Sequence, residues 1–86
     1  MGDSFAGLAV GLSLHTFEKP MKNSIRLRRA EKNMSQAELA KACDVSRHAI
    51  MAIEKQVHEP SIKLACKIAH ALNTPLHEVF DLSDID

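Results

Sequence analysis

Residues 35–54 read Ser-Gln-Ala-Glu-Leu-Ala-Lys-Ala-Cys-Asp-Val-Ser-Arg-His-Ala-Ile-Met-Ala-Ile-Glu, and their two serines divide them into two short helices around one tight turn. Ser35 and Glu38 have the spacing of a reciprocal capping box, in which the hydroxyl accepts from the Glu38 amide and the carboxylate reaches back to the Ser35 amide. The first of the two helices therefore starts at Gln36 and turns Leu39 and Ala40 inward. Asp44 stands where the chain must leave that helix in a left-handed conformation, and Val45 plugs the corner before the next cap, Ser46. The helix after Ser46 buries Ile50 and Ile53. Its outer strip is then Arg47, His48, Met51, Ala52 and Lys55, which mixes hydrogen-bonding groups with methyl-bearing ones.

The rest of the chain must supply a core for this pair. With 45% apolar but only 3% aromatic residues, the 86 residues build one domain from aliphatic side chains and Phe, a composition suited to helices. From Met21 onward we expect five helices with short connections, an all-α architecture. The first runs from about Asn23 to Lys32, with Ile25, Leu27 or Arg28, and Arg29 at helical spacing, and stops at Asn33. After the pair, Pro60 forces an extended predecessor and Ser61 caps a fourth helix, Ile62 to Leu72, with the apolar stripe Ile62, Leu64, Ala65, Ile68, Ala69 and Leu72. Asn73 ends it, and Thr74-Pro75 opens a short fifth helix that points Leu76, Val79 and Phe80 into the body.

Residues 1–20 differ in kind, since they hold all three glycines and a run of small apolar residues. They fit neither a secretory signal nor a membrane span. Met21-Lys22-Asn23 resembles a translation start, so 1–20 is expected to be a flexible or expression-derived extension, 21–80 the domain, and 81–86 an acidic tail. Alternation through Leu12, Leu14, Thr16 and Phe17 permits a short strand pairing with Phe80 to Leu82. Cys43 and Cys66 read as reduced, buried packing residues of a cytoplasmic protein. The five histidines, His15, His48, His58, His70 and His77, lack metal-ligand spacing with the cysteines or one another, so no metal and no cofactor is expected.

The formal net charge is zero, yet the charges are segregated. Between Met21 and Lys67 stand ten Lys or Arg (Lys22, Arg26, Arg28, Arg29, Lys32, Lys41, Arg47, Lys55, Lys63, Lys67) against five acids (Glu31, Glu38, Asp44, Glu54, Glu59), and beyond Lys67 only Glu78, Asp81, Asp84 and Asp86 follow. A basic body carrying a strip of Arg, His and methyl groups on one exposed helix suits the edges of base pairs. No nucleophile with a base, paired carboxylates or glycine-rich phosphate loop occurs in residues 21–86, so an enzyme is not expected.

Met34-Ser35-Gln36-Ala37-Glu38-Leu39-Ala40, Val45-Ser46-Arg47, Ile50, Ile53-Glu54, Pro60-Ser61 and Leu72-Asn73 together resemble the phage repressor and Cro type of helix-turn-helix regulator, the Xre family. The resemblance spans nearly all of residues 21–80. Within that family it is nearest to short, stand-alone homodimeric repressors of the cytolysin-operon kind, which share the Lys-Ile-Ala and Leu-Asn-Thr-Pro-Leu segments. One departure is plain: Lys55-Gln56 stand where the family usually has Asn-Gly. The resemblance implies a five-helix lambda-repressor-like fold and a cytoplasmic regulator of bacterial, archaeal or phage origin, expected to bind a palindromic double-stranded DNA operator as a homodimer and to act as a repressor.

Residue roles follow from the same resemblance. Gln36 clamps a phosphate with the helix N-terminus, helped by Ser46, Lys55 and Lys22. Arg47 is expected to grip a guanine through O6 and N7 in preference to reaching a phosphate, His48 to donate to a base, and Met51 and Ala52 to rest on thymine methyls. Arg29 pairs with Glu54 to lock the first helix against the reading helix. A dimer surface is expected from His70, Leu76, Val79, Phe80 and Leu82, because the C-terminal element has more apolar side chains than one small bundle covers. Plainer readings stand beside these: Arg47 and Lys55 as solvated surface charges, Gln36 as a capping-region residue, Met51 as a core or dimer methionine. A rival function is an antitoxin-type interaction module that also autoregulates, with a protein partner held by residues 1–20 or the C-terminal face.

Overall fold

The structure, a computed structural model, describes residues 21–83. They form five helices: α1 (Ile25–Glu31), α2 (Gln36–Cys43), α3 (Arg47–Glu54), α4 (Ile62–Ala71) and α5 (Leu76–Val79). The architecture is all-α and lambda-repressor-like. Residues 1–20, with the strand considered at Leu12 to Phe17, and residues 84–86 lie outside the described residues.

Three helix starts follow the serines. Ser35, Ser46 and Ser61 accept from the amides of Glu38, Ala49 and Leu64, and in α2 the Glu38 carboxylate completes the box by accepting from the Ser35 amide at 2.7 Å. Hydrogen bonding from Ser35, by its backbone amide first and its side chain second, holds the Glu38 carboxyl below its ordinary value. The box therefore contributes fully above the unfolded carboxylate pKa and fades as pH falls through the lowered value. α1 begins later than expected because its flanking residues are engaged elsewhere. Asn23 Oδ1 accepts from the Ile25 amide at 3.1 Å, while the Ser24 hydroxyl turns away to donate to the Glu78 carbonyl at 2.8 Å.

The first four helices all end in one motif. At α1, α2, α3 and α4 the chain enters the left-handed region at Asn33, Asp44, Gln56 and Asn73, with φ of 53°, 58°, 61° and 51°. Each time that residue and its successor donate back into the last turn; after α3, Gln56 donates to Ile53 and Val57 to Ala52, each at 3.0 Å. Asn and Asp tolerate this conformation, whereas Gln does not favour it. Gln56→Gly should therefore raise unfolding stability by about 0.5–1 kcal/mol in urea denaturation, since the strain removed exceeds the entropy a glycine loses. No gain would show that the turn is unstrained.

The core is assembled from single faces of all five helices. Ile25, Leu39, Cys43, Ile50, Ile53, Ile68, Leu72, Val79 and Phe80 are each less than 2% exposed. α2 packs against α3 and α4, and α4 against α5. Two segments far apart in sequence close the bundle: Ser24 donates to Val79 at 2.7 Å, Asn23 and Phe80 form an antiparallel bridge, and Asp81 donates to Lys22 at 2.8 Å.

Several sequence expectations are corrected here. Val79 and Phe80 are each 1% exposed, because the Lys22–Ser24 segment folds over them, so they fill this bundle instead of offering a dimer surface. Ile62 is 80% exposed at the start of α4, and the buried stripe of that helix is Ala65, Ile68, Ala69 and, at its end, Leu72. Leu27 is exposed, leaving Ile25 with the half-buried Arg28 and Arg29 on the inner side of α1. Cys43 is buried, and burial pushes its thiol pKa up; Cys66 lies exposed on α4, and both are free.

Candidate nucleic-acid interface

α3 presents two chemically distinct sides. Ile50 and Ile53 are buried, while Arg47, His48 and Lys55 are exposed and Met51 and Ala52 half-buried. At about 100° per residue the five outer positions fall within an arc of roughly 140°, opposite the two isoleucines. Arg47, His48, Met51, Ala52 and Lys55 therefore share one strip. Ser46 lies exposed at its N-terminal end, with its oxygen accepting from the Ala49 amide at 3.1 Å. Its hydroxyl proton remains available to an acceptor.

The angle at which this helix stands is set at its C-terminal end. Arg29 Nε donates to Glu54 Oε2 at 2.6 Å and Arg29 Nη2 to Glu54 Oε1 at 3.1 Å, with the side chains only 14% and 7% exposed. The third arm of the guanidinium, Nη1, donates to the Met34 carbonyl at 2.9 Å, so one arginine joins α1, the α1–α2 turn and α3. A planar fork of donors is needed for this, which lysine lacks. Asn23 adds a further tie by donating from Nδ2 to the Ile53 carbonyl at 2.9 Å.

Gln36, at the first position of α2, is half-buried and donates from Nε2 to Glu54 Oε1 at 3.1 Å. α2 and the end of α3 thus meet at the same carboxylate. Lys22 stands apart from the strip, exposed beside the Asn23–Phe80 bridge, where it adds a minor pull to an Asp81 carboxyl lowered mainly by hydrogen bonds from Ser83. His70, Leu76 and Leu82 are reached by solvent, Leu76 partly packed on the core. The sequence reading missed three features: the tie from Asn23, the left-handed Gln56 and the Gln36–Glu54 bond. Only the second had a signal, the Lys55-Gln56 pair standing where the family usually has Asn-Gly.

Among the described residues no three His, Cys, Asp or Glu side chains come together as a metal-holding group, and no helix is long and apolar enough to cross a membrane. The family pattern described as Helix-turn-helix matches residues 25–79, a span that includes all five helices. The chain belongs to this family, in its Xre-type branch. As a helix-turn-helix protein of that kind it is a transcriptional regulator with a DNA-binding domain, and the family does not typically comprise enzymes.

This helix-turn-helix chain is 44% identical over 64 residues to an uncharacterized HTH-type transcriptional regulator of Methanocaldococcus jannaschii, covering 74% of this chain and 97% of the relative. It is 38% identical over 64 residues to the uncharacterized HTH-type transcriptional regulator YgzD of Bacillus subtilis, again covering 74% and 97%. Among solved structures, the clp gene regulator ClgR from Corynebacterium glutamicum matches with a TM-score of 0.60 and 32% identity over 62% of this chain. The chain spans 56% of the length of ClgR, so the likeness is to one part of that protein.

Proposed function

We propose that the chain binds a palindromic operator as a homodimer, with α3 of each copy in the major groove, and represses transcription by occupying the site. The outward arc of α3 carries this reading: a guanidinium, an imidazole, a thioether and a methyl group stand side by side on a helix held rigidly from behind. Arg47 addresses guanine O6 and N7, His48 donates to a base acceptor, and Met51 and Ala52 contact thymine methyls. Ser46, Gln36 and Lys55 take flanking phosphates, and Lys22 meets the backbone further out.

One such helix touches only a few base pairs, so useful affinity calls for two half-sites about 34 Å apart. His70, Leu76 and Leu82 supply the proposed dimer contact. No reaction is performed on any substrate. Selection from a random duplex pool should enrich an inverted repeat with guanine in each half. Binding of the unselected pool should weaken steeply as salt is added, because several neutralised phosphates release counterions. Absence of enrichment together with a flat salt response would overturn the reading.

A further inference from the structure

Glu54 does more than close an ion pair. Its Oε1 accepts from Arg29 Nη2 and from Gln36 Nε2, each at 3.1 Å, while Oε2 takes Arg29 Nε at 2.6 Å. The lock between α1 and α3 needs only the arginine. Gln36 has a long side chain at the start of α2, which would otherwise sample several rotamers. The bond to Glu54 uses one of its two amide N–H groups, and among the described residues the other has no partner. An uncompensated carboxylate here would repel a phosphate approaching Gln36, but the doubly bonded guanidinium cancels that charge.

We propose that Glu54 is a positioning residue for DNA: it fixes the Gln36 amide in a phosphate-donating orientation, with Arg29 neutralising the carboxylate that does so. The proposal rests on the DNA reading above and adds that the backbone clamp is set by the end of the reading helix. Clamp and reader then keep a constant register, because both are anchored on one side chain.

The test uses the full chain with duplex DNA of random sequence, at a temperature where urea titration shows every variant folded. Arg29→Met/Glu54→Leu removes both charges together, which leaves no unpaired ion in the interior. Gln36→Ala should weaken binding about tenfold for all sequences, as expected for one lost hydrogen bond to a charged group. The pair variant should weaken it about fivefold, partly through Gln36 and partly through the angle of α3. Combined with Gln36→Ala, the pair variant should cause a markedly smaller additional loss.

A pair variant that binds like the parent, or whose loss persists in full in the Gln36→Ala background, overturns the proposal. Should the pair variant fail to fold, Glu54→Gln retains volume without the charge. Its smaller loss must likewise shrink when Gln36 is absent, and an equal loss in both backgrounds overturns the proposal. Gln36→Ala without effect, while Arg47→Ala still erases base preference, defeats the clamp and leaves the reading helix standing.

Discussion

Glu54→Ala is expected to lower unfolding stability by about 3–5 kcal/mol, read as a shifted urea midpoint with an unchanged slope. The carboxylate is 7% exposed and the Arg29 it faces 14%, so the substitution strands a positive charge where little water reaches it. It also deprives Gln36 Nε2 of its acceptor. A domain of this size has only about 5–15 kcal/mol in total, so a large share of the protein should unfold near physiological temperature. Replacing both partners by apolar residues should cost far less, because desolvating two ions offsets most of what their attraction contributes. A loss below about 1 kcal/mol for Glu54→Ala would mean that the pair behaves as a surface contact and does not set the angle of α3.

Arg47→Ala should do the reverse. Arg47 is exposed and holds nothing in place, so stability should change by less than about 0.5 kcal/mol. Binding to the selected operator should fall by about 1–3 kcal/mol, roughly five- to 150-fold, with discrimination at one base position lost. Lys55→Ala provides the contrast. It should weaken all duplexes alike and reduce the salt slope by about 1, since it is proposed to meet phosphate alone. If Arg47→Ala instead leaves the preferred sequence unchanged and only weakens binding uniformly, its guanidinium contacts the backbone, and base reading falls to His48 and Met51.

Short-range chemistry was the legible part of this fold. The three serine caps and the left-handed Asn33, Asp44 and Asn73 are decided within four or five residues, so the helix boundaries around them could be placed from sequence. Gln56 adopts the same conformation although its own residue type gives no signal, at the position where the family usually has glycine. α4 was ambiguous for another reason. Ile62, Leu64, Ala65, Cys66, Ile68 and Ala69 cover more than half of its circumference, and only packing on α2 and α5 chooses Ala65, Ile68 and Ala69.

Phe80 illustrates the same limit at the site. Its apolar surroundings looked like a surplus fit for a partner, whereas the Lys22–Ser24 segment, 56 to 58 residues earlier, closes over it through bonds to Val79 and Asp81. The Arg29–Glu54 pair was expected only through family resemblance. The Gln36–Glu54 bond joins residues 18 apart on separate helices, and neither periodicity nor motif reveals it.

Methylation interference on a selected operator tests the central claim most directly, because methyl groups can be placed on guanine N7 in the major groove or on adenine N3 in the minor groove. With α3 seated in the major groove, N7-methylation of one guanine in each half-site should block binding by the parent chain, and that sensitivity should disappear in Arg47→Ala. Interference confined to adenine N3, or N7 interference that survives in Arg47→Ala, would contradict it.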